Sequence, residues 1–249
     1  KKVKIIYIAN IRLPTEKAHG IQIMKMCEAF AKAGAEVELV VPKRRNPQFQ
    51  QIDPFEYYGA QSNFKIQKLT VPDPWWLLLL PQGVYIKVQT FFLLLRLYFY
   101  LKSLKKPGDK IFYTREEYLL PILQRFSTSS SPARPAGGQG GERGGVVWEA
   151  HTLPRNKTYY LKHWQNCFRI IAISFGLKEE LARLGVAQNK ILVAPDGVDL
   201  EKFSAKGGSA SGGKVKSEKL KVREELGLPA DRKIVMYTGH LYEWKGAQT

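Results

Sequence analysis

Helices on both faces of a parallel β-sheet are the arrangement that this sequence predicts, and two observations lead to it. Short apolar runs without polar alternation, such as residues 3–9 (VKIIYIA) and 146–150 (VVWEA), are typical of strands buried on both faces. Between such runs stand segments whose apolar residues recur at helical spacing, and strands that alternate with helices form right-handed βαβ units. The predicted fold class is therefore α/β, with a Rossmann-like parallel sheet.

The composition indicates a globular protein with an anionic partner. Of the 249 residues 44% are hydrophobic, which is ordinary for a chain with a sizeable core, and the net charge is +17. This charge favours a nucleic acid, an anionic membrane surface or a phosphorylated substrate, although a solvated basic surface without a dedicated ligand explains it too.

The cysteines and the N-terminal run bear on the cellular compartment. Cys27 and Cys167 are far apart and belong to no CxxC pair, which is typical of a reducing compartment. The apolar run near the N-terminus is too short for the core of a signal peptide. We therefore expect a cytoplasmic protein.

The first predicted unit is a strand at residues 3–9, a helix at about residues 20–33 and a strand at residues 36–41. It lacks the G-x-G-x-x-G fingerprint, which disfavours a nicotinamide or flavin enzyme. Gly20 stands at the predicted start of the helix, where free backbone N–H groups and the helix dipole suit a phosphate. A simple tight turn would explain this glycine equally well.

The next segments are a predicted surface excursion at residues 46–59, a half-exposed strand at residues 64–70 and a nearly apolar helix at residues 84–104. Pro81, Gly83 and the charges of the helix leave no piece with the roughly 20 apolar residues of a membrane span. Such a helix is either deeply buried, which we take as the default, or lies in a membrane interface with Trp and Lys anchors.

A third group of elements leads to a candidate site residue. A strand is predicted at residues 110–114, and Thr114 with Glu117 fits a capping box that opens a helix to about residue 126. Residues 127–145 have no apolar side chain larger than Ala and predict a mobile loop. His151 follows the strand at residues 146–150, at the edge where open α/β sheets bind ligands, although a lone histidine is more often structural.

Residues 169–203 predict a strand, a short helix that ends at Gly185, a second strand and a Pro-Asp-Gly turn. This stretch resembles the end of the N-terminal domain in family 4 (group 1) retaining glycosyltransferases of the GT-B fold. Asp196 stands where that family usually has Asn. The residues that match the family pattern are Ser174, Leu177, Lys178, Leu181, Gly185, Lys190, Ile191, Pro195, Gly197, Val198, Asp199 and Phe203.

The resemblance implies roles for individual residues. Gly20 matches a glycine that lies against the donor diphosphate, and Gln22 matches a position on the acceptor side. His151 matches the histidine beside the transferred sugar and is the candidate catalytic residue. Further along the chain, the donor-diphosphate loop of the family is matched at His240, Lys245 and Gly246, where Lys supplies a flexible ammonium group.

The resemblance also implies an activity and a domain organisation. The activity is transfer of a hexose-type sugar from a nucleoside-diphosphate sugar to an acceptor hydroxyl with retention; no Asp-x-Asp signature is present, so no metal and no cofactor are expected. The expected domains are an acceptor-side N-terminal domain (1–203), a flexible connection with a short helix (204–231) and the start of a truncated nucleotide-sugar-binding domain (232–249). Because the glutamate pair of the family belongs beyond Thr249, we expect this chain alone to be inactive.

Many members of the family act on lipid-linked acceptors, so the resemblance allows a lipid-linked acceptor and peripheral contact with the anionic inner face of a membrane. Nucleic acid is not expected, because the aromatic residues cluster in leucine-rich runs instead of interleaving with Lys and Arg. Two alternatives stay open. One is a basic binding module for anionic membrane lipid, and the other is a GT-B protein that epimerises a nucleotide sugar.

Overall fold

A seven-stranded parallel sheet forms the centre of the protein in the computed structural model. The structure describes residues 2–72, 82–105, 110–127, 144–198 and 221–234. The chain divides into two units, Lys1–Asp196 and Gly197–Thr249, and the sheet belongs to the first. Residues 128–143 of the predicted mobile loop, most of the predicted flexible connection and most of the segment at residues 232–249 lie outside the described residues.

All neighbouring strands of the sheet pair in parallel, in the order β3-β2-β1-β4-β5-β6-β7. This order and the helices around the sheet confirm the predicted α/β, Rossmann-like fold class. The strands are β1 (Lys4–Ile8), β2 (Glu36–Lys43), β3 (Lys65–Thr70), β4 (Ile111–Thr114), β5 (Gly145–Ala150), β6 (Arg169–Ala172) and β7 (Ile191–Val193).

Helices follow most of the strands, as crossovers between parallel strands require. Three short 3₁₀ turns complete the described elements of the first unit, at Pro47–Phe49, Glu117–Leu119 and Gln188–Lys190. The helices are α1 (Ala18–Lys32), α2 (Pro54–Tyr58), α3 (Gln82–Ser103), α4 (Leu120–Phe126), α5 (Lys157–Gln165) and α6 (Phe175–Arg183).

The central strands have no solvent-exposed face because each of them contributes to two cores. Ile6 and Ile8 of β1 belong to one core, and Ile5 and Tyr7 of the same strand belong to the other. Successive side chains of a strand point to opposite faces, so a strand covered on both sides is apolar except where a buried polar group has hydrogen-bond partners. Helix α1 covers one face, and the other core includes side chains of α3, α4, α5 and α6.

Helix α3 is buried along one stripe only, which corrects the expectation of deep burial. Leu93, Leu97 and Leu101 are at most 1% exposed and pack in the core, whereas Phe91 and Phe99 are 60% and 52% exposed. The segment Gly83–Ser103 is also long and apolar enough to cross a membrane, which corrects the expectation that no piece of this region is. Core helices of soluble proteins can be equally long and apolar.

Two local predictions need correction. Residues 46–59 are not purely a surface excursion, because they contain α2, whose Tyr58 is buried and bonds through its hydroxyl to the backbone of Thr15. The Thr114 hydroxyl accepts from the backbone N–H of Glu116, and α4 begins only after the 3₁₀ turn Glu117–Leu119. The capping box predicted there is therefore replaced by a tighter turn.

The second unit is described at residues 197–198 and 221–234 only. Residues 221–225 are helical, and Gly227 follows with a φ of 63°, a left-handed conformation that suits glycine at a helix end. The short helix predicted before Gly227 is therefore found.

Candidate functional site

Polar side chains from three elements meet at the carboxyl edge of the sheet. Glu149 is near the end of β5, His151 directly follows that strand, and Arg115 directly follows β4. Gln22 reaches the same place from the first turns of α1. Because all strands are parallel, their carboxyl ends share one edge, where open α/β sheets bind ligands.

Glu149 is the centre of this group. Its side chain is buried, with 2% of the residue exposed, and its two carboxylate oxygens form three hydrogen bonds. The Tyr113 hydroxyl donates to Oε2 at 2.5 Å, and the Gln22 amide donates to Oε1 at 2.7 Å. His151 Nε2 lies 2.5 Å from Oε1. A buried carboxylate is tolerated only with such partners.

The charge state of Glu149 follows from these contacts. Burial by itself would raise the pKa of the Glu149 carboxyl, but hydrogen bonds from His151 and Tyr113 and the positive charge of Arg115 lower this pKa below its usual value. Arg115 Nε is 3.9 Å from Oε1, at the long end of an ion pair. Burial and the charge of Glu149 raise the pKa of Tyr113, so its hydroxyl keeps its proton. Glu149 is therefore an ionised acceptor at neutral pH.

Gln22 is fixed at both ends of its amide group. Arg115 Nη1 donates to the Gln22 carbonyl oxygen at 2.7 Å, while the Gln22 nitrogen donates to Glu149. The residue that the resemblance puts on the acceptor side thus joins His151 through one shared carboxylate.

His151 is the more accessible member of the pair, because its side chain is 22% exposed against 3% for Glu149. The turn after β7 reaches the same end of the sheet. One ligand atom from each of Glu149, His151 and Asp196 lies within 4.8 Å of the other two. We assign no metal to this cluster, since the Glu149 oxygens already accept three hydrogen bonds and Asp196 is exposed.

Gly20 lies in the first turn of α1, and the structure gives it a packing role. Its N–H donates to the Lys17 carbonyl at 2.9 Å. A Cβ on this residue would be 2.3 Å from the Tyr58 hydroxyl oxygen and 2.7 Å from Thr15 Cγ2, so no side chain fits. Contact of Gly20 with a diphosphate stays a prediction.

The surroundings of this helix start are basic. Burial lowers the pKa of His19, and the positive charges of Arg115 and Lys17 lower it further. These charges are of the sign that would attract a diphosphate.

A second polar group lies at the same edge of the sheet, after β1, β2 and β4. Arg44 Nη2 donates to the Asn10 side-chain oxygen at 2.6 Å, and the Asn10 amide donates to the Tyr118 hydroxyl at 2.6 Å. Burial and the charge of Glu117 raise the pKa of the neighbouring Glu116, against the opposing effects of Asn10, Arg115 and Arg44. Both groups of polar residues therefore occupy the edge that the topology predicts for a ligand.

The predicted site residues have different outcomes. Gln22 and His151 are brought together, with Gly20 two residues before Gln22. His240, Lys245 and Gly246 lie outside the described residues. Sequence reasoning missed the roles of Glu149, Tyr113 and Arg115. One signal was available for Glu149: an acidic residue inside the apolar run VVWEA requires buried hydrogen-bond donors.

His163 has no candidate partner at a recognisable spacing in the sequence, but in the structure its partner is Gln124. Its Nδ1 lies 2.7 Å from Gln124 Oε1, and its backbone carbonyl accepts from the Gln124 amide. It therefore ties α5 to α4 and takes no part in the site.

No model of a known protein family matches this sequence, and no curated protein matches it. Solved structures do match. HepE from Anabaena in complex with UDP is 12% identical, with a TM-score of 0.56 over 99% of this chain and 56% of that one. The same protein with UDP-glucose is 13% identical, with a TM-score of 0.53 over 98% of this chain and 55% of that one. A glycosyltransferase from Rickettsia africae is 13% identical, with a TM-score of 0.58 over 98% of this chain and 55% of that one.

These structures are GT-B glycosyltransferases, and the likeness at this level of identity is one of fold. The chain therefore has the α/β, Rossmann-like fold found in GT-B glycosyltransferases, and it spans about half the length of the structures it matches.

Proposed function

We propose that this chain is part of a glycosyltransferase that moves a sugar from a nucleoside-diphosphate donor to an acceptor hydroxyl. The observation that supports this most directly is the buried carboxylate of Glu149, which holds Gln22 and His151 together at the ligand-binding edge of a GT-B-type sheet. The matched structures of HepE contain UDP and UDP-glucose, which supports a nucleotide sugar as the donor.

The chemistry needs two things from the protein. The departing diphosphate must meet positive charge or N–H groups that are already in place, and the sugar must be held while the acceptor attacks. The basic start of α1, including Gly20, is our proposed contribution of the first unit to the diphosphate. For the second unit we propose His240, Lys245 and Gly246 on the resemblance alone. Retention and the absence of a metal or cofactor are part of the same proposal.

His151 is the proposed catalytic residue, in the sense that its ring hydrogen-bonds the sugar or the acceptor. It is partly exposed at the sheet edge and anchored by Glu149, so it can reach a bound ligand without being free to rotate. Gln22 is our proposed residue on the acceptor side.

The experiment compares His151→Ala with His163→Gln, in protein expressed from the complete gene. Each variant is incubated with a panel of nucleoside-diphosphate sugars and candidate acceptors, and release of the nucleoside diphosphate is measured. We expect His151→Ala to lower kcat by about 10²-fold or more, whereas His163→Gln should stay within about twofold because it lies outside the site.

NMR of the product decides the finer points. A product with the anomeric configuration of the donor supports retention, and an inverted product contradicts it. Conversion of the nucleotide sugar to an epimer without any acceptor would favour the epimerase alternative, and equal activity of both variants would remove His151 from the reaction.

We also propose that the exposed face of α3 contacts an anionic membrane. Phe91, Leu95 and Phe99 follow one another at four-residue spacing, so they form one stripe opposite the buried leucines, and each is at least 45% exposed. The helix has no acidic residue, and the exposed side chains of Lys87, Arg96 and Lys102 are available beside the apolar face.

This combination favours a bilayer surface over a protein partner. An apolar helix face on a helix whose charged residues are all basic is the pattern of helices that lie in the plane of an anionic membrane. The leucine stripe packs in the core, so we propose that α3 lies on the membrane and does not cross it. A cytoplasmic protein at the inner face of the membrane, acting on a lipid-linked acceptor, would fit this placement.

Vesicle co-sedimentation tests the membrane contact. We expect binding to phosphatidylcholine vesicles that contain phosphatidylglycerol, weaker binding at high salt, and little binding to phosphatidylcholine alone. The combined change Phe91→Ser, Leu95→Ser and Phe99→Ser should weaken binding at least about tenfold, since it removes three exposed apolar side chains that the membrane would bury. Phe175→Ser is the matched control, because Phe175 is 72% exposed on α6.

Two results would contradict this placement: undiminished binding of the triple variant, or equal binding to neutral vesicles. Salt-sensitive binding to an oligonucleotide without any binding to vesicles would indicate instead that the basic charge serves a nucleic acid.

A further inference from the structure

Glu149 occupies a position that packing alone would give to an apolar residue. It stands between Trp148 and Ala150 on β5, and every residue of this strand is buried. An unpaired carboxylate at such a position would be strongly destabilising, so the three donors around it are a requirement of the fold. The same contacts determine which donor hydrogen faces each carboxylate oxygen of Glu149.

The orientation of the Gln22 amide is determined by its contact with Arg115. Arg115 can only donate, so the atom of Gln22 that it contacts is the carbonyl oxygen, and the NH₂ group of Gln22 therefore faces Glu149. The Tyr113 hydroxyl keeps its proton and donates to the other carboxylate oxygen. Glu149 is thus an acceptor towards two of its three partners.

The third partner is His151, and the same logic applies to its ring. An ionised carboxylate has no hydrogen to give, so the 2.5 Å contact between His151 Nε2 and Glu149 Oε1 requires a hydrogen on Nε2. In the neutral imidazole the other ring nitrogen, Nδ1, is then an acceptor. Among the described residues, Glu149 is the one hydrogen-bond partner of the His151 side chain.

We propose that Glu149 is a positioning residue that holds His151 in the Nε2–H form and presents Nδ1 as an acceptor for a hydroxyl group of the sugar or the acceptor substrate. The hydroxyl group as ligand rests on the proposed function, whereas the form of the ring does not. Tyr113, Gln22 and Arg115 support His151 indirectly, because they hold the carboxylate in place and ionised.

Long-range proton–nitrogen NMR correlations of the four histidines report which ring nitrogen carries hydrogen. His151→Asn identifies the signal of interest, and spectra are recorded at a pH where the ring is neutral. In the unmodified protein we expect Nε2 to be protonated and Nδ1 to be bare. A protonated Nδ1 would overturn the proposal without the need for any variant.

Glu149→Leu is the decisive variant. Glu149→Gln is unsuitable, because the NH₂ group of Gln22 would turn the oxygen of the new amide towards itself and His151, where that oxygen still accepts from Nε2. The leucine side chain offers the ring no acceptor, so we expect a mixture of the two ring forms. Gln22→Ala is the matched control, because it removes another donor to the same oxygen and leaves the carboxylate on His151. We expect the control to keep the Nε2–H form, and an unchanged ring in Glu149→Leu would overturn the proposal.

Kinetics separate this proposal from the proposed function. Both proposals predict that Glu149→Leu lowers kcat at least about tenfold with a smaller change in KM, because an incorrectly oriented ring loses its bond to the reacting group. If the ring form changes as expected but no sugar transfer is found in any variant, Glu149 still positions His151 and the transferase assignment fails. If transfer depends on His151 while the ring form is indifferent to Glu149, only the positioning role fails.

Discussion

Gly20 has no room for a side chain, because the hydroxyl oxygen of Tyr58 lies 2.3 Å from the position of a Cβ. That hydroxyl accepts from the Thr15 N–H at 2.7 Å and donates to the Thr15 carbonyl at 2.8 Å, which fixes the loop before α1. Packing alone therefore explains why this position, beside a candidate diphosphate site, is glycine, and no ligand is needed for that explanation. Its effect on stability and its effect on binding must be measured separately.

Gly20→Ala should lower the free energy of unfolding by about 1–3 kcal/mol, because the new methyl group must displace the Tyr58 hydroxyl or the backbone of α1. Urea denaturation measures this. Gly176→Ala is the control, since a Cβ at Gly176 meets nothing within 4 Å and α6 should gain up to about 1 kcal/mol. A Gly20→Ala protein as stable as its parent would show that the packing explanation is wrong.

The residues of the candidate site differ in how far the sequence could reveal them. His151 was found because it follows an apolar run and matches a family position. Glu149 stood in that same run, but its partners Gln22 and Tyr113 are 127 and 36 residues away along the chain, so the contacts could not be derived from local pattern. Which donors surround a buried charge depends on the register of the strands, which a single sequence does not specify.

At the scale of elements, β5 and α5 are joined by two parallel indole rings. Trp148 and Trp164 stack with ring centroids 5.5 Å apart and an angle of 4° between planes, and neither is more than 1% exposed. Their polar atoms differ. Trp148 Nε1 donates to the Arg115 carbonyl at 3.3 Å, whereas Trp164 Nε1 is buried without a partner among the described residues.

This difference predicts unequal costs for the same substitution. Both Trp148→Phe and Trp164→Phe remove apolar contact, but only the first leaves a carbonyl without its hydrogen bond, and the second removes an unsatisfied donor. We expect Trp148→Phe to cost about 1 kcal/mol more of the free energy of unfolding than Trp164→Phe. Urea denaturation of the two variants measures the difference, and an equal or reversed order would contradict the assignment of the two N–H groups.

The elements themselves were largely predictable, because a strand covered on both faces is almost entirely apolar and a helix needs a periodic stripe. Helix α3 was the exception. A helix that is apolar nearly all round gives no indication of which face is buried, so its leucine stripe and its exposed phenylalanines could not be distinguished before the fold was known. The 3₁₀ turn before α4 was also missed, since Thr114 bonds two residues ahead instead of three.

At the scale of the whole molecule, both cysteines are free, buried and in separate cores. Cys27 belongs to the core beneath α1 and Cys167 to the core on the opposite face. Burial raises the pKa of both thiols, and that of Cys167 rises to about 12 despite the nearby Lys190. Only the thiolate reacts readily, so both thiols are protected, because reagents cannot reach them and because they stay protonated at neutral pH.

Thiol labelling should therefore report opening of the fold. At neutral pH a disulfide reagent should modify neither cysteine of the native protein except at the rate of unfolding, and should modify both at once in urea. The variants Cys27→Ser and Cys167→Ser assign each signal. Rapid labelling of one thiol in the native protein would mean that the core containing it opens locally.

The topology followed from the alternation of strands with helices, and with it the prediction that a site lies at the carboxyl edge. The strand order could not be predicted from the sequence, because neighbouring parallel strands can be far apart in the chain. The proposed roles of His240, Lys245 and Gly246 stay predictions, since they depend on resemblance to a loop beyond the described residues.

Strand β3 lies at one border of the sheet and presents Lys65, Gln67, Lys68 and Thr70 to solvent. If a second molecule added a strand here, its backbone would lie beside the ammonium groups of Lys65 and Lys68, and these groups would lose part of their hydration. The remaining hydrogen-bonding groups of this border are thereby protected from self-pairing. Concentrated protein should resist fibrillar growth through this edge, even though the strands inside the sheet are rich in the residues from which such fibrils form.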